Sequence, residues 1–447
     1  MLNTRWIGKA AYIAWDKKEG GTRLREFRAL NAQDRLPPEQ LAAIQQTRLN
    51  ALLQHCWHNS DWYRPLLREA GYTPESVWSP ADLTALPVTT KADIRDNIDQ
   101  FIASNANKQQ LARAKTGGST GVSLNLFFDE HCQAMRNAGQ MYADSMAGWH
   151  IGDRVAAVWG NPPKYTTAKA KLRAQLLDRM IFLDTMDLNN QSMGAFVARW
   201  HAFKPQVIFG HAHSIYIFAK FLLEQGIQTV RPVGVVATSM MLLNHERKSI
   251  EQALGCKVTN RYGCEEVGLI AVECEQHNGM HLNVQHLVVE SLDAANAPAA
   301  PGTAGKLVLT DLNNFGMPLL RYRVEDVGAL SNRQCSCGRT TPLLERLEGR
   351  VADFLKKPDG GQVAGVSLVE RTLTKVPGVA QMQLVQDTLH EIKIHRVKGA
   401  EFNAQTDNAL LQEFRQVFPD DVALTIKDAD KIPQEASGKY RFSICRI

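Results

Sequence analysis

From residue 153 onward the chain repeats one pattern: a short β-rich run closing on a turn residue, then a stretch with helical spacing. "DRVAAVWG" (153–160), "PQVIFGHAHS" (205–214) and "PVGVVATS" (232–239) are such runs, and "SIYIFAKFLLEQG" (214–226) is a helical stretch between two of them. Strands separated by helices cannot pair as tight hairpins, so neighbours run parallel and the helices cover the sheet. This alternation constrains the chain to an α/β fold. Two regions depart from it. Residues 38–105 are mostly helical in pattern, with Leu41, Ile44, Leu49, Leu52 and Leu53 near helical spacing behind Pro37 and Pro38. The stretch "SLDAANAPAAPGTAGKLVLTDL" reads as an antiparallel hairpin.

At 447 residues the chain exceeds one compact core. The pattern changes near residue 345, where "AQMQLVQ", "EIKIHRV", a helix near 406–418 and "VALTIKDA" suggest a small α+β unit. The expected organisation is a large domain over 1–345, mainly helical over 1–105, with mixed sheets and flanking helices. A small C-terminal domain follows over 346–447. Hydrophobic residues make up 44% and charged residues 22%, as in ordinary globular proteins. The net charge of +5 suits an anionic small molecule, and no basic run interleaved with aromatics points to nucleic acid. No apolar run is long enough to span a membrane and the N-terminus does not read as a signal peptide. Eight scattered cysteines suit a reducing compartment, so a cytoplasmic location is expected.

Chemistry concentrates in five short motifs. "AKTGGSTGVS" (114–123) carries Thr116, Gly117, Gly118, Ser119, Thr120 and Gly121, a loop whose backbone N–H groups and hydroxyls can converge on an anion. It lacks the lysine that a P-loop places after its last glycine; Val122 stands there. Downstream come "RYGCEEVG" (261–268), "LLRYRVEDVG" (319–328), "RLEGRVADFL" (346–355) and "ASGKYRF" (436–442). Singly, each could be an ordinary loop. In this order they resemble the adenylate-forming superfamily of acyl-CoA ligases and adenylation domains. The resemblance covers nearly the whole chain and is nearest to the phenylacetate–coenzyme A ligase-like branch that includes CapK-type proteins.

The resemblance implies an ATP-dependent ligase that converts a carboxylic acid, an aryl acid by family default, to an acyl-adenylate and passes the acyl group to coenzyme A. An amine, a sugar or a carrier protein could instead accept it, and a non-catalytic nucleotide-binding protein on the same scaffold is the other reading. The 116–121 loop would cradle the leaving phosphates, with Ser119 and Thr120 adding donors. Tyr262 and Gly263 would lie against adenine, Asp326 would accept the ribose hydroxyls, and Arg350 would donate to ribose or phosphate. Lys439, on a mobile C-terminal domain, would stabilise the adenylation transition state. Glu266 matches the family's Mg²⁺ carboxylate. Glu265 occupies a position usually held by threonine, so both remain candidates. Ala352 stands where the hinge motif commonly has aspartate, with Asp353 following, which leaves the pivot position open. A homodimer is also implied.

A second constellation is metallic. "ECEQHNGMHLN" supplies Cys274, His277 and His281, and "CSCGR" supplies Cys335 and Cys337. Thiolate and imidazole suit a closed tetrahedral Zn²⁺, although Cys-x-Cys is tighter than the usual spacing. The resemblance favours Cys274, His281, Cys335 and Cys337 as the ligands. Segments 133–145, 159–165, 209–214 and 237–241 are expected to wall the acyl pocket, with His211 and His213 on one of them.

Overall fold

The computed structural model describes residues 5–115, 124–160, 162–331, 333–348, 354–399, 401–432 and 441–447. A series of helices leads in, including Arg5–Lys18, Thr22–Gln33 and Pro38–Asn59. The last begins with proline at its first position, where no N–H is needed, and buries Leu41, Leu49, Leu52 and Leu53 on one side. Tyr63 is buried and Trp62 stacks on Phe101 at 4.7 Å, so this aromatic group is core material.

Strands β1 (Ala112–Lys115) and β2 (Asn125–Phe128) form a two-stranded antiparallel sheet. One sheet of eleven strands dominates the molecule. Its parallel half comprises β3 (Val155–Trp159), β4 (Met180–Asp184), β5 (Val207–His211), β6 (Gly234–Thr238) and β7 (Val258–Cys264). Its antiparallel half comprises β8 (Gly268–Glu273), β9 (Met280–Leu282), β10 (Leu287–Leu292), β11 (Ala304–Asp311), β12 (Tyr322–Ser331) and β13 (Leu343–Glu348). The strand order is β10-β11-β12-β13-β9-β8-β7-β6-β5-β3-β4. The three β-rich runs read from the sequence are β3, β5 and β6 of the parallel half, and the proline-rich stretch is the β10–β11 hairpin. Between β3 and β5 the order reverses direction, because β4 lies on one side of β3 and β5 on the other. Such a switch point opens a crevice at the carboxyl ends of the strands.

Beyond β13 the strands form separate sheets. β14 (Phe354–Lys356) pairs with β15 (Gln362–Ala364). β16 (Val379–Thr388), β17 (Glu391–Lys398), β18 (Ala423–Asp428) and β19 (Ser443–Cys445) form a four-stranded sheet in the order β18-β17-β16-β19. Helices Gly365–Lys375 and Thr406–Arg415 accompany it. These elements share their own core, including Leu368, Leu384, Ile394, Phe414 and Phe442, to which Met186 from the preceding region is added. They dock on the segment after β4. Leu188 and Gln362 exchange backbone hydrogen bonds of 3.2 and 2.8 Å, and Lys357 Nζ meets Asp187 Oδ1 at 2.9 Å.

Candidate functional site

A cleft of about 1740 Å³ opens where the parallel strands end. Trp159, Asp184, His211, Thr238 and Tyr262, from or next to the carboxyl ends of β3 to β7, all line it. Lys357, Arg371 and Lys375 line it from the C-terminal elements. The cleft therefore lies along the seam between the large sheet and the small ones.

Two tyrosine–carboxylate pairs organise its inner end. Along β12 the side chains alternate, so Tyr322, Val324 and Asp326 are buried on one face while Glu325 is exposed. From that face Tyr322 donates its hydroxyl to Glu266 Oε1 at 2.9 Å, and Asp326 Oδ2 accepts from Tyr262 Oη at 2.9 Å. Burial pushes the Tyr322 phenol far up, which keeps it a donor. Glu266 is itself 4% exposed. The neighbouring Glu265 points differently: its side chain is half-exposed and ion-paired to Arg136 at 3.2 Å, and Arg136 also donates to the Glu265 carbonyl at 2.8 Å. The register between β7 and β8 shifts at Gly263. A Cβ at Gly263 would lie 2.5 Å from the Gly268 carbonyl oxygen, so this close approach requires glycine.

The helix Glu130–Met146 presents Gln133, Arg136, Asn137 and Gln140 to the cleft. Asp129 fixes its start by accepting from the Cys132 N–H at 2.7 Å. Opposite lie Trp159, stacked on Phe209 at 5.0 Å, and His211, whose ring centroid is 4.0 Å from that of Trp159. Burial pulls His211 down to about 4, so the ring is neutral near pH 7. Its Nδ1 has no hydrogen-bond partner among the described residues. His213 is instead paired with Glu246. All four segments expected as pocket wall contribute to the lining, among them Thr238, Ser239, Met240 and Met241.

Of the site residues expected from sequence, Tyr262, Gly263, Glu265, Glu266 and Asp326 line this one cleft. Thr116, Gly117, Gly118, Ser119, Thr120, Gly121, Arg350 and Lys439 lie outside the described residues. Lys115, the last residue of β1 before the glycine loop, does reach the cleft. Sequence reasoning passed over Tyr322, although the alternation in "YRVED" puts it on the same face as Asp326. It also assigned no role to Arg136, which only the fold brings beside Glu265.

Next to the cleft, four buried side chains converge: Cys274, after β8; His281, on β9; and Cys335 and Cys337, between β12 and β13. Their ligand atoms all lie within 4.8 Å of one another. Cys274 Sγ is 3.6 Å from Cys335 Sγ, and Cys337 Sγ is 3.3 Å from His281 Nε2. Those separations match the edges of a tetrahedron of thiolates and an imidazole around Zn²⁺. His281 Nδ1 meets Thr341 Oγ1 at 2.8 Å, the second contact that orients a metal-binding imidazole. His277 turns away to Glu273, 3.3 Å from Oε2.

Residues 355–446 match the CapK C-terminal domain. Protein CapK of Staphylococcus aureus is 24% identical over 414 residues, spanning 91% of this chain and 90% of its own. The phenylacetate-coenzyme A ligase of Thermus thermophilus is 27% identical over 359 residues and 77% of each chain. The Escherichia coli ligase of that name is 25% identical, over 71% of this chain and 72% of its own. Among solved structures, 2-hydroxyisobutyryl-CoA ligase in complex with 2-HIB-AMP and CoA superimposes with a TM-score of 0.61. It shows 19% identity and covers 92% of this chain and 91% of its own, a likeness of fold. With Tyr262, Gly263, Glu265, Glu266 and Asp326 gathered on one cleft at a switch point, the chain is similar over most of its length to CapK and the phenylacetate-coenzyme A ligases, and it shares the fold of an acyl-CoA ligase.

Proposed function

We propose that the chain is an AMP-forming acid–thiol ligase. A carboxylate oxygen attacks the α-phosphate of ATP and the bond to pyrophosphate breaks. The thiol sulfur of coenzyme A then attacks the acyl carbonyl, its proton passes to solvent, and AMP leaves. The observation carrying this reading is the pair of tyrosine–carboxylate contacts, Tyr322–Glu266 and Tyr262–Asp326, held side by side in the cleft.

In this reading Asp326 accepts the ribose hydroxyls. Tyr262 fixes one of its oxygens, which sets the direction of the remaining lone pairs. The loop 116–121 and Arg350 hold phosphate and ribose, and Lys439 meets the charge that develops on the α-phosphate. Glu266 is the carboxylate suited to Mg²⁺, since Tyr322 holds it inside the cleft while Arg136 already engages Glu265. When bound, Mg²⁺ supplies positive charge to the phosphate oxygens. We place the boundary of the mobile part after β13, so that the residues following it carry Lys439 in and out. Cys274, His281, Cys335 and Cys337 would hold a structural Zn²⁺. Such an ion cross-links β8 and β9 to the β12–β13 connection beside the cleft and takes no part in the reaction.

Carboxylate-dependent exchange of labelled pyrophosphate into ATP tests the first step over aryl, fatty and hydroxylated acids. We expect exchange with one class, followed by thioester formation when coenzyme A is added. ATP binding with no exchange for any acid would overturn the catalytic reading. Exchange without thioester formation would redirect the search to an amine, sugar or carrier-protein acceptor.

A further inference from the structure

The helix Arg5–Lys18 has two unlike halves. Its inner half is closely packed: Gly8 is buried, and a Cβ there would lie 2.6 Å from Arg179 Cδ and 3.0 Å from the Gly152 carbonyl oxygen. The Tyr12 hydroxyl reaches Met141 Sδ at 3.4 Å on the same side. The nearby acids also face inward. Asp16 is 2% exposed and 3.8 Å from Arg23, and Asp153 lies 3.2 Å from Arg5.

At 100° per residue, the outer half gathers Trp6, Ile7, Lys9, Ala10, Ile13, Ala14, Lys17 and Lys18, all exposed. Trp6 is 65% exposed, Ile7 38% and Ile13 37%. This half contains no acid. The adjoining helix Ala168–Arg173 buries none of its residues, leaves Leu172 57% exposed, and adds Lys169, Lys171 and Arg173. The Arg173 guanidinium lies over the Trp15 ring at 5.4 Å, joining the two helices. Four of the ten most exposed large apolar residues in the described structure fall in these two short segments, so the patch is a concentration rather than scatter.

A helix on the surface of a soluble protein ordinarily turns its polar side outward. Here the outward side combines tryptophan and isoleucine with lysine, the composition that inserts shallowly at a headgroup layer. The aromatic ring and aliphatic side chains enter the interface, and the ammonium groups extend to the phosphates. Charge selects the occupant. A second copy packed symmetrically on this face would bring lysines against lysines, whereas an anionic lipid surface neutralises them. No described helix is long and apolar enough to cross a membrane, so the contact is superficial. Gly152 and Arg179 lie at the starts of β3 and β4, the opposite end of those strands from the cleft, which docking would leave open.

We propose that the outer half of the helix Arg5–Lys18, with the adjoining 168–173 segment, is a peripheral docking surface for an anionic phospholipid bilayer. The test is co-sedimentation of the full chain with phosphatidylcholine vesicles, with and without phosphatidylglycerol, at low and raised salt. We expect binding only to phosphatidylglycerol-containing vesicles, released by salt. The variant Trp6→Ser/Ile13→Ser should weaken binding by about tenfold or more, and Lys17→Glu/Lys18→Glu should weaken it comparably. Both should keep pyrophosphate exchange and a melting temperature close to the wild type's, because all four residues lie on the exposed half of the helix, away from the cleft. No sedimentation of the wild type, equal binding to neutral vesicles, or wild-type binding by the Trp6/Ile13 variant would each overturn the proposal. So would light scattering showing a dimer that this variant dissolves, which would assign the face to a second copy.

Discussion

At Tyr322 a buried phenol meets a buried carboxylate. Removing the hydroxyl in Tyr322→Phe leaves Glu266 in place but without one of the donors that orient it, and losing a hydrogen bond to a buried carboxylate costs about 1–3 kcal/mol. If Glu266 serves Mg²⁺, the variant should need several-fold more Mg²⁺ for half-maximal pyrophosphate exchange, with kcat down about tenfold. A lowered melting temperature with an unchanged Mg²⁺ requirement would reduce Tyr322 to a packing residue. The sequence gives half of this arrangement. Alternation along "YRVED" puts Tyr322 and Asp326 on one face, and the Tyr-Gly motif contributes Tyr262 and Glu266. It does not register that the turn after β7 crosses to β12, since three intervening strands of the sheet set that approach.

At the scale of elements, the helix Thr22–Gln33 is fastened to the large sheet by Glu26. This residue accepts from Arg48 at 2.6 Å and pairs with His286 Nε2 at 2.9 Å. Burial alone would raise the Glu26 carboxyl, but His286 and Arg48 outweigh it and hold the group at about 2. A folded-state pKa below the unfolded value stabilises the protein above about pH 4.5, and this contribution fades as pH falls toward 2. Glu26→Gln should therefore lower stability by about 1–3 kcal/mol near neutral pH and flatten the acid limb of a melting-temperature profile. An unchanged limb would remove Glu26 from that role. The cysteine–histidine cluster works at the same scale, because its ligands come from three separate parts of the antiparallel half. Elemental analysis of protein purified without added zinc should find about one equivalent. Cys337→Ser should lose it and melt earlier, whereas metal-free wild type with full stability would leave only a thiol cluster. Three of the five strands of the parallel half, β3, β5 and β6, were legible because each is short, buried and bounded by turn residues. The helices Arg5–Lys18 and Thr22–Gln33 were expected only within a mainly helical region over 1–105, not as separate elements. The first carries apolar groups on its outer side, and the second buries Glu26, so neither shows a simple apolar stripe. The expectation of zinc required the chemistry of the ligands in addition to their spacing.

Among the described residues, the large sheet and the C-terminal sheets meet along a cleft lined by both. The Lys357–Asp187 pair has a half-exposed aspartate, and the Leu188–Gln362 backbone pair is an isolated bridge. Lys357 itself is buried and Met186 packs into the C-terminal core, so opening this seam carries a modest cost, as at interfaces between domains that move. That matters for a reaction in two parts, because the charge needed at the α-phosphate in the first step would obstruct an acceptor approaching the acyl carbonyl in the second. On the proposed assignment, a lysine carried by the C-terminal domain would meet both needs by arriving for one step and leaving for the other. Lys439→Ala should therefore slow pyrophosphate exchange by about 10²–10³-fold while thioester formation from preformed acyl-AMP stays within a few-fold of wild type. Single-turnover measurement of the two half-reactions separates the cases. Equal loss in both would mean that Lys439 acts as a fixed part of the site or of the fold. Loss confined to the thioester step would reverse the assignment and give the lysine to the acceptor.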